Sequence, residues 1–280
     1  MSAAIDHNRQ RKVAVINDYS SFGRCSLAAS VPILAAMRIQ CCPVPTAVFT
    51  NHTGFANFSY VDLSERLDAY IADWKATGLR FSAIATGYMV SPEQIAGVRR
   101  FIETFRDADT AVVVDPVMGD YGRLYTGFRP EVAEGLRGLL DVADYLTPNM
   151  TEACVLAGRA YEPNPDDAAL EDLASSLCRG HVRGLVITGV PRDGRLLNYV
   201  YAPQTGGEVI LTDKIGPDRS GTGDVFTTVV LGELVNGLTL TEAVRKAVSF
   251  VSHAVSVAQA MEIPTTDGLP FEEVLSELWS

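Results

Sequence analysis

Val13-Ala14-Val15-Ile16 is a short β-branched run, Asn17-Asp18-Tyr19-Ser20-Ser21-Phe22-Gly23 follows it, and Ser26–Met37 then spaces its apolar residues at helical period. A buried strand, a polar turn and a helix are what the three segments predict in turn. The alternation returns at Ala83–Ala85 before Pro92–Phe105, and at Ala111–Val114 before Pro130–Leu140. Such units pack as parallel strands joined by right-handed crossovers, so the expected fold is α/β: a doubly wound, mostly parallel sheet flanked by helices. Further strands are expected at Tyr145–Leu146 and Leu185–Thr188, and helices at Val225–Asn236, Leu240–Ala260 and Phe271–Leu278. Leu196–Ala202 and Glu208–Thr212, separated by Pro203-Gln204-Thr205-Gly206-Gly207, read as an edge hairpin. Asn51–Asp62, rich in aromatic and small polar residues, reads as a flap over a site and not as part of the sheet.

The 280 residues are 47% hydrophobic and 20% charged, with no internal repeat or low-complexity linker, which predicts one domain over 1–280 with 1–11 as a disordered N-terminal tail. A net charge of −11 argues against nucleic acid as a partner while leaving room for a local phosphate pocket. No run of ~18 apolar residues occurs, and Met1–Lys12 has no apolar signal core, so the reading is a cytoplasmic protein without a membrane partner. Cys25, Cys41, Cys42, Cys154 and Cys178 are odd in number and lack paired metal spacing, as expected of reduced, mostly buried thiols.

Ser220-Gly221-Thr222-Gly223-Asp224, followed at once by the apolar run Val225–Val235, is a glycine turn opening a helix with a carboxylate in its first turn. Helix N-termini carry unpaired N–H groups and partial positive charge, and glycines let that backbone approach an anion. A transferring phosphate fits there, with Asp224 placed to meet an attacking hydroxyl; taken alone, the stretch better suits a plain loop with Asp224 as an N-terminal helix charge, and other parts of the chain must decide. In an open parallel sheet ligands bind beyond the carboxyl ends of the strands, and polar clusters stand at each of those ends. They are Asn17–Gly23, Thr46 with Thr50-Asn51-His52-Thr53-Gly54, Thr86-Gly87-Tyr88, Asp115-Pro116-Val117-Met118-Gly119-Asp120, Thr147-Pro148-Asn149-Met150-Thr151-Glu152 and Thr188-Gly189. No Gly-x-x-x-x-Gly-Lys loop occurs, and Phe226 stands where a dinucleotide fingerprint needs its third glycine, which disfavours a P-loop enzyme and an ordinary dehydrogenase.

These residues resemble the ribokinase-like kinases and, within them, the pyridoxal and pyridoxamine kinases of vitamin B6 salvage, from about Val13 to Gln259. Ser220–Asp224, Val114–Gly119 and Thr147-Pro148-Asn149-x-x-Glu152 carry the resemblance to the superfamily, hydroxymethylpyrimidine kinases included; Asn51-His52-Thr53 and Thr86-Gly87-Tyr88 point to the B6 kinases. The resemblance implies ATP-dependent transfer to the 5′-hydroxymethyl group of a pyridine, with Asp224 as base and Gly221, Thr222 and Gly223 holding the γ-phosphate. It implies Mg²⁺ held by Glu152 through water, with Asn149 in support, a role also for a monovalent cation such as K⁺, and nucleotide contacts from Thr147 and Thr188; a hard cation suits one or two carboxylates, which makes Asp115 the second candidate, and Arg219 is a guanidinium in reach of a phosphate. For the acceptor ring it points to Asp18, Thr46, His52 and Tyr88, and for assembly to a homodimer.

Each residue also has a plainer reading. Asn149 to Glu152 has the spacing of a capping box, the threonines are turn residues, Tyr88 is a core tyrosine, His52 a structural hydrogen-bonder and Arg219 a solvated loop charge. Two positions depart from the family pattern: Asp18 stands where many pyridoxal kinases carry serine, favouring a cationic amine or protonated pyridine, and Ile215–Arg219 differs from the better-known members. The competing functions are a hydroxymethylpyrimidine kinase of thiamine synthesis and a catalytically silent B6-vitamer-binding protein.

Overall fold

The computed structural model describes residues 6–125 and 128–279. Within them the chain runs β1 (Lys12–Ser20), α1 (Ser26–Ala36), β2 (Gln40–Phe49), β3 (Tyr60–Asp62), α2 (Leu67–Thr77), β4 (Ala83–Thr86), α3 (Pro92–Phe105), β5 (Ala111–Val114), β6 (Gly119–Asp120), β7 (Arg123–Leu124), α4 (Pro130–Leu139), β8 (Tyr145–Leu146), α5 (Met150–Ala157), α6 (Asp167–Leu177), β9 (Gly184–Arg192), β10 (Arg195–Ala202), β11 (Gly206–Asp213), α7 (Thr222–Val235) and α8 (Leu240–Ala260).

One nine-stranded sheet has the order β11-β10-β9-β8-β5-β4-β1-β2-β3. The six strands from β2 to β9 pair in parallel, while β3 at one edge and the β10–β11 hairpin at the other are antiparallel. Alternation along β1 sends Val13 and Val15 into one core, shared with Leu27, Val229 and Val244, and Ala14 and Ile16 into the other, shared with Phe101, Leu136 and Leu173. The sheet is thereby covered on both faces, which is why its central strands read as continuous apolar runs. From β1 the chain steps outward to β2 and then returns to β4 on the other side, so the order reverses between β1 and β4. A crevice opens at such a reversal, and that is where ligands bind in this class of sheet.

Several expectations need correction. Phe271–Leu278 is two 3-10 turns, Phe271–Glu273 and Leu275–Leu278, broken at Val274, whose φ of −120° and ψ of 3° leave the helical region although Phe271, Val274 and Leu278 are all buried. Asn51–Asp62 is not wholly outside the sheet, since Tyr60–Asp62 forms β3 on β2. The described part of the expected tail is tied down: Asn8 bonds Gly78 and Arg80, and Arg11 donates to the Val235 carbonyl; residues 1–5 lie outside the described residues. β1 continues past Ile16 to Ser20 through a bulge between Asn17 and Tyr19, so Asn17 and Asp18 stand inside the strand.

Candidate active site

Gly221 is the left-handed N-cap of α7, with φ +75°. A Cβ there would lie 2.0 Å from the Arg24 carbonyl oxygen, so glycine is required both by backbone angle and by the close approach of the turn before α1. Nothing lies within 4 Å of a Cβ built on Gly223, although it follows two residues later. Open space beside the first amides of a helix is what an arriving phosphate needs. The Thr222 hydroxyl donates instead to the Arg219 carbonyl at 2.9 Å, bracing the turn.

Asp224, in the first turn of α7, is buried, and that burial pushes its carboxyl up to about 6, with the negative charge of Asp18 adding to the effect. The Ser26 amide and the Asn17 side chain oppose the rise, Asn17 Nδ2 donating to Asp224 Oδ1 at 3.0 Å. On the acceptor side, Asp18 is buried, accepts hydroxyl bonds from Ser26 at 2.6 Å and Ser20 at 3.0 Å, and is pushed up chiefly by desolvation. Tyr88 is half-buried, and its phenol is raised by burial and by the charge of Asp18. Thr46 is buried in β2 beside Pro45, the partner of Asn17 across the strands. His52 spends both ring nitrogens on the main chain, Nε2 on the Thr266 carbonyl at 2.7 Å and Nδ1 on the Gly54 amide at 3.1 Å, so the structure gives it the bracing role of the plainer reading.

The other side of Asp224 is open. A cavity of about 390 Å³ is lined by Asp115, Thr147, Asn149, Glu152, Thr188, Arg219 and the whole turn from Ser220 to Asp224. All six residues expected to face the nucleotide are thus brought together, whereas Asp18, Thr46, His52 and Tyr88 do not line this space. Asp115 is pushed up to about 8 by burial and by the charge of Asp224, and Glu152 is raised well above the usual carboxylate range by burial and by Asp115. Asp18, Asp224, Asp115 and Glu152 therefore form a row of mutually repelling carboxylates across the site. Asn149 and Glu152 make a full capping box: the Asn149 side chain accepts from the Glu152 amide, and Glu152 accepts from the amides of Asn149 at 2.8 Å and Met118 at 3.1 Å. Arg219 sends Nη1 to the Ile263 carbonyl at 2.7 Å, and its buried Nε has no partner among the described residues.

Four features of this site were not read from the sequence. Thr227 bridges Thr147 and Asp115, at 2.9 and 3.2 Å; its place one turn after Asp224 on the same helix face was a usable signal. Val248, Val251 and Val255 of α8 give the cavity an apolar wall, legible as an i, i+3, i+7 stripe. Tyr121, at the β6–β7 turn, bonds Asp218 across the cavity mouth, a contact between distant segments that no local pattern announces. Asn17 holds Asp224 from inside β1, directly after the apolar run Val13–Ile16.

Residues 26–268 match the family described as Phosphomethylpyrimidine kinase. A Bacteroides thetaiotaomicron protein, provisionally described as a phosphomethylpyrimidine kinase and crystallised with pyridoxal, is 37% identical and superposes with a TM-score of 0.93 over 96% of each chain. A pyridoxine/pyridoxal/pyridoxamine kinase of Bordetella bronchiseptica is 26% identical over 89% of this chain and 88% of its own. A hydroxymethylpyrimidine/phosphomethylpyrimidine kinase of Rhizobium meliloti is 27% identical over 87% of this chain and 90% of its own. The chain belongs to the phosphomethylpyrimidine kinase family, in the ribokinase-like superfamily that includes the B6 kinases.

Proposed function

We propose that this kinase uses ATP to phosphorylate the 5′-hydroxymethyl group of the B6 vitamers pyridoxal, pyridoxamine and pyridoxine. The observation that carries the reading is the position of Asp224: an open cavity ending in an anion-ready helix turn lies on one side of it, and the buried Asn17 and Asp18 with the half-buried Tyr88 on the other. An acceptor hydroxyl meeting Asp224 from the second side attacks the γ-phosphorus from the first. The new O–P bond forms as the β–γ bridging bond breaks, ADP departs with that electron pair, and the hydroxyl proton passes to Asp224. A carboxyl at about 6 is mostly ionised at neutral pH, which suffices because the hydroxyl becomes acidic only late in a loose transfer. The α7 amides at Thr222 and Gly223 take up the charge that spreads over the phosphoryl oxygens.

The donors also fit a hard divalent cation. Asp115 and Glu152 are buried oxygen donors raised chiefly by desolvation, Asp115 further by the charge of Asp224 and Glu152 by that of Asp115, and no cationic side chain is among the groups acting on either. Asp115 would hold Mg²⁺ directly and Glu152 through water, since both Glu152 oxygens already carry main-chain amides. Bound there, the ion would neutralise the phosphates. Asp18 has no salt-bridge partner among the described residues and is held by the hydroxyls of Ser20 and Ser26, so a protonated ring nitrogen or amine is the group it would favour.

A homodimer, a cytoplasmic location consistent with five free cysteines, and sensitivity to K⁺ belong to the same proposal and are checked by light scattering, cell fractionation and assay with and without KCl. The central test incubates the protein with ATP, Mg²⁺ and, separately, each vitamer and hydroxymethylpyrimidine, with Asp224→Asn as control. Vitamer phosphates that vanish in the variant support the reading. The family description and the Rhizobium relative favour one second reading, and product from the pyrimidine alone would select it; vitamer binding without ATP consumption would point to a silent binder.

A further inference from the structure

Asn17 and the glycine of Thr86-Gly87-Tyr88 have no part in the chemistry above, yet in the structure they are a single feature. Asn17 is 4% exposed and stands on β1 where the strand order reverses. Its Oδ1 accepts two main-chain N–H bonds, from Asp18 at 2.9 Å and from Tyr88, just past β4, at 2.9 Å. With the oxygen fixed by two donors from neighbouring strands, the amide nitrogen has one direction left, and along it lies Asp224 Oδ1 at 3.0 Å. Gly87 makes room for this arrangement. A Cβ there would fall 2.2 Å from Asn17 Nδ2, 2.4 Å from Cγ and 2.6 Å from Oδ1, and Gly87 is not among the glycines of positive φ. Its lack of a side chain therefore answers a steric need and not a backbone one.

We propose that Asn17 is the positioning residue of the catalytic base, and that position 87 is glycine because the Asn17 amide occupies the place of its Cβ. A carboxylate in the first turn of a helix turns freely about two side-chain bonds. Tied through Oδ1 to a donor that is itself tied to β1 and β4, Asp224 keeps Oδ2 toward the acceptor hydroxyl. The Ser26 amide supports the charged form from α1, an element outside the sheet. The inference rests on the kinase reading for its catalytic meaning, and on geometry alone for the Gly87–Asn17–Asp224 chain.

Three variants and one double variant test it. Gly87→Ala forces the amide aside, Asn17→Ala removes it, and Asn17→Asp keeps the acceptor oxygen and the shape but loses the donor. Each is expected to lower kcat about 10- to 100-fold, the loss that follows from a misplaced reacting group, with the KM for ATP changed less than about threefold. Gly87→Ala with Asn17→Ala should be no worse than the poorer single variant, because both act through one side chain. Full kcat in Asn17→Asp, or losses that multiply in the double variant, would overturn the proposal. Crystal structures of Gly87→Ala and Asn17→Asp give a readout that needs no acceptor: the Asp224 carboxylate should leave its wild-type position, and an unmoved carboxylate in both would also overturn it. Wild-type turnover of the vitamers tests the functional reading separately, so either idea can fail without the other.

Discussion

The two sides of Asp224 are built on different terms. Toward the nucleotide there is a cavity of about 390 Å³ whose glycine turn, threonines and carboxylates face open space. Toward the acceptor, polar groups bond one another: Asp18 to Ser20 and Ser26, Asn17 to Tyr88, His52 to Thr266 and Gly54. Buried polar groups must find partners, and where no ligand groove is held open they find them within the chain. On the proposed reading the nucleotide half is preformed, and a substrate ring would replace the hydroxyl contacts of Asp18 while Asn17 keeps its bonds to the main chain and to Asp224.

The sharpest way to break this comparison is at the boundary. Asp224→Asn should lower kcat by about 10³-fold, within the range for loss of a general base, with ATP affinity held within a few-fold, read by steady-state kinetics and calorimetry. A variant that retained turnover would remove the boundary itself. Next come the two glycines of the turn. Gly223→Ala has room in the apo protein and should fold normally, with a melting temperature within a few degrees of wild type, yet lose about 10- to 100-fold in kcat because the methyl fills the phosphate's approach. Gly221→Ala meets the Arg24 carbonyl at 2.0 Å and a left-handed φ, so it should be poorly folded. If both variants behaved alike in thermal melts, the open space at Gly223 would not be a functional feature.

The parallel core and the nucleotide half were legible in the sequence for the same reason. Val13–Ile16 and Ala111–Val114 are buried on both faces and so are apolar throughout, and the polar clusters at their carboxyl ends are local in the chain. What escaped reading depends on pairing between distant segments. β3 forms because Tyr60–Asp62 meets Ala47–Phe49, and Asn17 acquires a role only when α7 arrives 207 residues later. Glu152 was readable both ways, as cap and as metal support, and its capping bonds are formed while its carboxyl still borders the cavity.

Proton linkage separates the halves at a smaller scale. Asp224 and Asp115 have folded-state values near 6 and 8, above the ~4 of an unfolded aspartate, so the native protein holds protons that the unfolded chain has released. Stability from these groups is therefore fully present below about pH 4 and lost as pH rises toward 8. Asp115→Asn, which cannot charge, should raise stability at pH 8 by roughly 1–3 kcal/mol and change it little at pH 4, seen in urea unfolding at the two pH values. Catalysis runs the other way: kcat/KM should fall as pH drops through about 6, where Asp224 takes up a proton. A stabilising effect of Asp115→Asn that did not vary with pH would assign the strain to packing and not to charge.

The smallest effect expected lies at His52. Its two bonds require a neutral ring protonated at Nε2, and the ring packs against Phe55 with centroids 4.7 Å apart and fills the space beside Gly23. The residue thus bolts the 51–54 turn to Thr266, next to Thr265, whose carbonyl receives the Ser220 amide at the start of the glycine turn. Loss of that bolt should loosen the acceptor side without opening the nucleotide side. His52→Ala is expected to raise the KM for the vitamer several-fold, to change kcat by less than about threefold and to leave the KM for ATP unaltered, since one or two neutral hydrogen bonds contribute about 1 kcal/mol each. His52→Gln, which can still donate and accept, should recover part of the loss. A rise in the KM for ATP would mean that the two halves move as one body, because the Ser220 to Thr265 bond would then carry the disturbance into the glycine turn.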